Sequence, residues 1–299
     1  MAGRRVSPAR APCATISPVT GRRASRVRLD LLLVQSGLAP TRARAQALLL
    51  GGRVRVGAGD SARLDRKPGD LVTIDTPVAV EVPEPYVSRG GHKIAAALDA
   101  FGIDPAGRVC LDVGASTGGF TDVLLQRGAS RVYALDVGRG QLAESLRQDA
   151  RVVSIERFNA RDLTAETLPE PVTLAVVDVS FISLRLVVAP VASTFRDRTG
   201  ELVALVKPQF EAGRREARGG VVRDPEVHRR VMAEAVAAVA VHGLEPRDLA
   251  ASPILGPEGN REFLLWAHVP AAPGAGARPP VALPDRLRER AAELAGVAA

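Results

Sequence analysis

The sequence is poor in cysteine and in aromatic residues. It has two cysteines, Cys13 and Cys110, and only 3% of its residues are Phe, Trp or Tyr. Two cysteines, one of them inside an apolar stretch, do not form the disulfide framework that a small secreted domain requires. We therefore expect a reducing environment and predict a cytoplasmic protein.

Long hydrophobic runs are also missing. No uninterrupted apolar run approaches the ~20 residues that a membrane-spanning helix needs, and the longest candidate, 231–241, contains Glu234. No membrane partner is expected. Residues 1–27 have no acidic residue and no apolar core for a secretory signal. They are predicted to be a disordered leader, or to reflect a start codon assigned too far upstream. A transit peptide rich in Arg and Ser is the alternative.

The net positive charge of the chain lies in its first third. Up to Gly91 the chain has 15 basic and 7 acidic residues, whereas from His92 onwards it has 25 and 26. A length of 299 residues suggests about two domains. A basic region beside a nearly neutral one is typical of proteins that bind polyanions. A solvated basic surface without a partner is the alternative.

The stretch 109–121 predicts a nucleotide-type site. An apolar run is followed by small residues and then by a helical pattern, which is the first unit of a Rossmann fold. A second apolar run ends in Asp136, roughly 20 residues beyond Gly114, where such folds place a carboxylate on a ribose. Ser116 occupies the position at which a dinucleotide site needs glycine, so S-adenosylmethionine (AdoMet) is favoured over NAD. An α/β turn without a ligand is the alternative.

Apolar runs continue to alternate with helical segments after Asp136. This alternation predicts a doubly wound α/β sheet with strands near 152–155, 174–177, 202–206, 249–252 and 263–269. Asp136, Asp178 and Lys207 each follow such a strand, and ligands bind beyond the carboxyl ends of strands in open sheets.

Lysine is scarce, because 37 of the 40 basic residues are arginine. The three lysines, Lys67, Lys93 and Lys207, therefore suggest positions where arginine will not serve. Arginine stays protonated at any usable pH, whereas a partly buried lysine can act as a base. Lys93 and Lys207 are candidates for an active site. A structural ion pair with Glu262 is the alternative for Lys207.

The segment 28–74 predicts a small unit with two helices and two short strands. Its motifs resemble the RNA-binding domain named after ribosomal protein S-four: Arg28-Leu29-Asp30, Gly37-Leu38-Ala39, Thr41-Arg42-x-x-Ala45-Gln46, Gly52-x-Val54-x-Val56 and Lys67-Pro68-Gly69-Asp70. Gly57 departs from the pattern, which usually has Asn after the valine. The resemblance implies RNA binding, and the candidate contacts are Arg28, Arg42, Arg44, Arg53, Arg55 and Lys67. A domain used only for packing is the alternative.

A second set of motifs resembles the TlyA family. They are Gly91-His92-Lys93, Asp112-x-Gly114-Ala115-Ser116-Thr117-Gly118-Gly119-Phe120-Thr121, Asp178-Val179-Ser180-Phe181-Ile182, Val206-Lys207-Pro208-Gln209-Phe210-Glu211, Gly220-Val221-Val222-Arg223-Asp224 and Gly259-Asn260-Arg261-Glu262-Phe263. With the first unit, the match runs over 28–269. The resemblance implies a ribosomal RNA ribose 2′-O-methyltransferase, specific for cytidine and related to the FtsJ-like enzymes. It places the family's catalytic tetrad on Lys93, Asp178, Lys207 and Glu262.

The same resemblance implies a Rossmann-like AdoMet methyltransferase domain whose last strand is antiparallel. Asp136 would hold the cofactor ribose and Asp162 the adenine region. No metal is expected. The predicted cofactor contacts are Asp112, Gly114, Ala115, Ser116, Thr117, Gly118, Gly119, Phe120, Asp136 and Asp162.

A ribose 2′-OH is a poor nucleophile, so the enzyme must align it with the methyl group and remove its proton. Lys207 is the predicted base, Lys93 would steady the developing oxyanion, and the two carboxylates would orient the lysines. The loop 209–223 is predicted to close over RNA through Arg214, Arg215 and Arg218. A mobile surface loop is the alternative.

The predicted organisation is a leader (1–27), an S-four RNA-binding domain (28–76), a linker (77–88), a methyltransferase domain (89–270) and a flexible tail with a short helix (271–299). The predicted partners are ribosomal RNA and ribosomal subunits, and the protein is predicted to be a monomer or weak dimer. Three other functions remain open: a pore-forming haemolysin, a non-catalytic RNA-binding assembly factor and an NAD oxidoreductase.

Overall fold

The structure, a computed structural model, describes residues 14–15, 25–59, 62–81, 84–196, 199–213, 215–270 and 284–297. Its contacts divide the chain into two compact units, Met1–Pro85 and Tyr86–Ala299.

The first unit is a small α+β structure. In chain order it contains β1 (Ala14–Thr15), β2 (Arg26–Arg28), α1 (Leu29–Gln35), α2 (Arg42–Leu50), β3 (Val54–Val56), β4 (Leu71–Thr73) and β5 (Val78–Val80). The strands form an antiparallel sheet in the order β1-β5-β3 and a separate antiparallel pair of β2 and β4. Both helices bury leucines and alanines on one face, among them Leu29, Leu33 and Ala45. Thr41 Oγ1 accepts a hydrogen bond from the Arg44 amide and so caps the N-terminus of α2.

Two predicted segments differ from the structure at the ends of this unit. The predicted leader, 1–27, includes strand β1 and the first residues of β2, although most of it lies outside the described residues. The predicted linker, 77–88, includes strand β5, whose backbone pairs with β3 through Val54 and Val80. Strands of two or three residues have too little periodicity for recognition from sequence.

The second unit is built on a mixed sheet of seven strands. They are β6 (Val109–Val113), β7 (Arg131–Asp136), β8 (Val152–Glu156), β9 (Leu174–Val177), β10 (Gly200–Val206), β11 (Glu245–Ala251) and β12 (Phe263–Val269). The order is β11-β12-β10-β9-β6-β7-β8, and β12 runs antiparallel to both of its neighbours. The predicted doubly wound sheet with an antiparallel last strand is therefore confirmed.

Helices cover both faces of this sheet. They are α3 (Gly90–Phe101), α4 (Gly119–Gln126), α5 (Glu144–Arg147), α6 (Val188–Ser193), α7 (Pro208–Glu211), α8 (Pro225–Val241) and α9 (Asp285–Ala295). Successive strand residues point to opposite faces, so Leu111 belongs to one hydrophobic cluster and Cys110 to the other. Both faces are thus buried, as a mostly parallel sheet requires.

Helix α9 packs into the core. Leu287 and Ala291 are buried in the same hydrophobic cluster as Val231 and Val236 of α8. The predicted short helix exists, but 284–297 is not part of a flexible tail, and 271–283 lie outside the described residues. None of the described helices combines the length and the hydropathy needed to cross a bilayer.

Candidate active site

The turn after β6 lies against the residue that follows β9. Gly114 has φ +87°, and a Cβ on it would lie 2.5 Å from the Asp178 carbonyl oxygen. Only glycine accepts both the backbone conformation and the close approach. Because Gly114 has no side chain, the glycine-rich turn can lie directly against the backbone of Asp178, a predicted catalytic residue.

Asp136, the last residue of β7, holds the same turn from the other side. Its Oδ2 accepts a hydrogen bond from the Ser116 amide at 2.8 Å, and its Oδ1 accepts one from the Gly138 amide at 2.7 Å. Ser116 has φ +49°, a conformation uncommon for a residue with a side chain. The carboxylate thus fixes the turn while retaining lone pairs for a ligand.

A cavity of about 340 Å³ opens between these segments, a volume within the range of small-molecule sites. Gly114, Ser116 and Asp136, three of the predicted cofactor contacts, line it together with Asp178, a predicted catalytic residue. The remaining lining residues are Leu135, Val137, Gln141, Phe158, Asn159, Ala160, Val179, Ser180, Phe181, Ile182 and Val187. They come from the end of β7 and from the three segments that follow β7, β8 and β9.

Asp112 does not face this cavity. Its side chain is fully buried, and its Oδ2 accepts a hydrogen bond from Thr121 Oγ1 at 2.7 Å. Burial raises the pKa of Asp112 to about 7, with the nearby Asp178 charge acting in the same direction and the Thr121 hydrogen bond opposing it. Asp112 thus ties the end of β6 to α4 through Oδ2, while its buried Oδ1 has no hydrogen-bond partner among the described residues. Its contact with the cofactor stays a prediction.

Other predicted cofactor contacts also lie away from the cavity wall. Asp162 belongs to a short 3₁₀ turn, Ala160–Asp162, and only the start of that turn reaches the cavity, together with Phe158 and Asn159. The rest of the glycine-rich turn and the start of α4 are also absent from the lining: Ala115, Thr117, Gly118, Gly119 and Phe120.

The four predicted catalytic residues form two ion pairs with low exposure. Lys207 Nζ lies 2.5 Å from Asp178 Oδ1 and donates to Ser180 Oγ at 2.8 Å. Lys93 Nζ lies 2.5 Å from Glu262 Oε2. The two lysine side chains are 9% and 10% exposed. Each buried cation therefore has an acid partner, without which burial would be costly.

The sheet register places these pairs at one edge. Val206 of β10 pairs with Phe263 of β12, so Lys207 and Glu262 are the next residues on two adjacent strands. Strand β9 runs parallel to β10 and ends one residue before Asp178. Helix α3 supplies Lys93 to Glu262. The antiparallel direction of β12 is what brings its first residues to the edge where the other strands end.

Glu262 retains an unused acceptor. Its Oε1 is buried and has no hydrogen-bond partner among the described residues. Gly256 packs so closely against this oxygen that a Cβ there would overlap it. Glu262 is therefore enclosed on one side and held by Lys93 on the other.

Phe181 is a feature that sequence reasoning missed. Its side chain is 91% exposed at the rim of the cavity, its φ is +63°, and its ring centroid lies 5.0 Å from that of Phe210. Lys207 Nζ lies 5.8 Å from the Phe210 ring centroid. The sequence places Phe181 beside Val179 and Ile182 in one motif, and nothing in that motif distinguishes an exposed ring from a buried one.

The predicted RNA loop, 209–223, is partly structured. Arg215 and Arg218 are exposed, whereas Arg214 lies outside the described residues. Asn260 anchors the end of the loop, because its Nδ2 donates to the Gly220 carbonyl and its Oδ1 accepts from the Val222 amide. The loop is thus tied to the turn that carries Glu262.

In the first unit, a buried acid organises two of the predicted RNA contacts. Asp30 accepts hydrogen bonds from Arg28, Arg42 and Gln46 at 3.0–3.1 Å. The Arg28 guanidinium, helped by Gln46 and Arg42, holds the pKa of Asp30 well below its usual range.

The other predicted RNA contacts in this unit have different environments. Arg44, Arg53 and Lys67 are exposed. Arg55 is half-buried and pairs with Glu81 at 2.6 Å. These side chains remain candidate RNA contacts on a basic surface.

Comparisons with known proteins agree with this architecture. The family model of the FtsJ-like methyltransferases matches residues 86–269, and that of the S4 domain matches residues 27–57. The first match covers all seven strands of the large sheet and all four tetrad positions.

Relatives match most of the chain. The 16S/23S rRNA (cytidine-2′-O)-methyltransferase TlyA of Mycobacterium tuberculosis is 46% identical over 81% of this chain and 90% of its own length. Hemolysin A of Brachyspira hyodysenteriae is 40% identical over 80% and 98%. A solved structure from Streptococcus thermophilus, named as a candidate hemolysin, has a TM-score of 0.65 and 38% identity, covering 91% of this chain and 96% of that one.

Proposed function

We propose that this chain, which belongs to the FtsJ-like methyltransferase family, transfers the methyl group of AdoMet to the ribose 2′-OH of cytidine in ribosomal RNA. The observation that carries the proposal is the pair of buried lysine–carboxylate contacts, Lys207–Asp178 and Lys93–Glu262, at one edge of the sheet, where Asp178 also lines a small-molecule cavity. The match to the M. tuberculosis rRNA methyltransferase over most of both chains supports the substrate.

The cavity fits AdoMet in its chemistry. Asp136 offers carboxylate oxygens that suit ribose hydroxyls. Val137, which is 69% exposed, and the neighbouring Phe158 and Ile182 offer apolar surface for an adenine ring. Ser116 occupies space that a pyrophosphate would need. AdoMet, when bound, supplies an electrophilic methyl group.

Lys207 is the base in this proposal. A 2′-OH must lose its proton as it attacks, and a lysine amine of low exposure can accept that proton at Nζ when it is neutral. Asp178 and Ser180 hold the amine at 2.5 and 2.8 Å and so restrict where Nζ points. Lys93, paired with Glu262, keeps a positive charge close to the developing oxyanion.

The basic first unit supplies the affinity for RNA. Arg28 and Arg42 are held in place by Asp30, so less side-chain entropy is lost when they meet phosphate. The exposed Phe181 ring offers a stacking surface for an unpaired base. We expect the protein to act on ribosomal subunits in the cytoplasm, as a monomer or weak dimer.

The test is transfer of labelled methyl groups from AdoMet to unmodified ribosomal subunits, followed by mapping of 2′-O-methyl positions. The proposal expects label on a cytidine ribose with the wild type and none with Lys207→Ala. Label on a base, or no label on either subunit by a wild type that binds AdoMet, would contradict it. Relatives named hemolysin and the rRNA methyltransferase match similar shares of this chain. A lysis assay with Lys207→Ala as control therefore separates the two activities.

A further inference from the structure

Glu211, the last residue of α7, bridges two loops of the site. Its side chain is only 6% exposed. Its Oε2 accepts a hydrogen bond from Ser183 Oγ, and its Oε1 accepts one from the Leu184 amide, both at 2.6 Å. Ser183 and Leu184 belong to the segment after β9, whereas Glu211 belongs to the segment after β10. Both oxygens of a nearly buried carboxylate are therefore used to join two loops.

The same two loops make a series of contacts along their length, and these hydrogen bonds are the ones farthest from the ends of β9 and β10. Lys207 contacts Asp178 and Ser180 at the inner end, and the ring of Phe210 packs against that of Phe181 in the middle. Residues 178–183 contain no helix or strand, and Phe181 has a positive φ. A backbone in this conformation persists only where its surroundings hold it.

We propose that Glu211 is a positioning residue that fixes the segment carrying Asp178 and Ser180, and thereby aims Lys207 Nζ. The inference rests on the proposed methyl transfer. A carboxylate suits this position because it accepts from two donors at once. Glutamine keeps one acceptor oxygen for the Leu184 amide, but its NH₂ group would have to donate to Ser183 Oγ, which already accepts from the Arg185 amide and guanidinium.

Glu211→Gln tests this inference, with Glu234→Gln as the matched control. Glu234 pairs with Arg185 at 3.2 Å and with Arg230 at 2.8 Å, and Arg185 also lies 3.9 Å from Glu211 Oε2. The control therefore removes a carboxylate charge from Arg185, whereas the Ser183 and Leu184 hydrogen bonds keep their acceptor. Methyl transfer and AdoMet binding are measured at a temperature well below each thermal midpoint, so that all variants are folded.

We expect kcat of Glu211→Gln to fall by roughly tenfold or more, because small displacements of a reacting group are expensive in rate. KM and Kd for AdoMet should change by less than about threefold, and Glu234→Gln should match the wild type in kcat. A residue that only stabilises the fold would lower the thermal midpoint and leave kcat unchanged. That result would overturn the inference.

Ser183→Ala is a second test, because it removes one hydrogen bond to Glu211 and keeps the carboxylate. It should lower kcat in the same direction, and the double variant should lose less than the product of the two single effects, since both remove the same contact. Independent effects would overturn the inference. A wild type without methyl transfer would instead reject the proposed function, so the two failures are distinguishable.

Discussion

Gly114 and Asp178 touch through their backbones, with no room for a side chain on the glycine. This contact joins the glycine-rich turn after β6 to the carboxylate that holds Lys207. The nucleotide end and the catalytic end of the site are therefore one packed arrangement rather than two independent loops.

The first prediction concerns this contact. Gly114→Ala should abolish detectable AdoMet binding and destabilise the fold by about 1–3 kcal/mol, since it adds both backbone strain and a clash. Gly107→Ala is the control for strain alone, because Gly107 has φ +70° but nothing within 4 Å of an added Cβ. Calorimetric titration with AdoMet and thermal unfolding measure the two effects. Equal behaviour of the two variants would contradict the packing argument.

The second prediction separates two acids that the sequence assigned to the cofactor. Asp136→Ala should weaken AdoMet binding by roughly tenfold or more, because the Ser116 and Gly138 amides lose their acceptor. Asp162→Ala should change the Kd by less than about threefold, since Asp162 does not line the cavity. Equilibrium binding decides between them. A larger loss for Asp162→Ala would restore its predicted role in the adenine region.

The third prediction is a pH dependence from Asp112. Burial raises its pKa to about 7, above the value of an unfolded aspartate. Between about pH 4 and pH 7 the folded state therefore holds a proton that the unfolded state releases. The free energy of unfolding should consequently fall as the pH rises through this window.

Asp112→Asn removes this titration and keeps an oxygen for Thr121. The free energy of unfolding of the variant minus that of the wild type should be larger at pH 8 than at pH 5, by on the order of 2 kcal/mol. Denaturant unfolding at both pH values measures it. A difference between variant and wild type that does not change with pH would show that Asp112 is ionised throughout.

The fourth prediction concerns Asp30 in the first unit. Asp30→Asn makes the chain more positive, which by charge alone would strengthen binding to RNA. We expect weaker binding instead, with a salt dependence reduced by about one phosphate contact, because Arg28 and Arg42 lose their shared acceptor. Asp65→Asn, at an exposed ion pair, reports the effect of charge alone. Binding to an rRNA fragment across a salt series distinguishes them.

The sequence predicted the large sheet well because buried parallel strands form short apolar runs that end at charged residues. Strand β9 agrees at both ends and β8 within one residue, whereas β11 begins four residues before its predicted start at 249. The motifs predicted the four tetrad positions, and the register of β10 and β12 explains why Lys207 and Glu262 lie at the same edge of the sheet. Strand β5 and the packing of α9 escaped prediction because both depend on distant partners rather than on local periodicity.

The cavity was harder to predict than the strands that frame it. Phe158, Asn159 and Gln141 reach it from loops with no recognisable pattern. The full burial of Asp112 was equally hard to predict, because its position before the glycine-rich turn does not show which face of β6 its side chain takes. Which face of β6 is buried against α4 depends on the packing of distant elements, which the local sequence does not show.

The most direct test of the account is the rate of methyl transfer by Lys207→Arg in a single turnover with saturating AdoMet and RNA. Arginine keeps the positive charge and can still pair with Asp178, but it cannot act as a base. The account predicts a loss of at least about a hundredfold in rate, with AdoMet binding within about threefold of wild type. A Lys207→Arg enzyme that methylates at close to the wild-type rate would show that charge, and not proton removal, is what Lys207 provides.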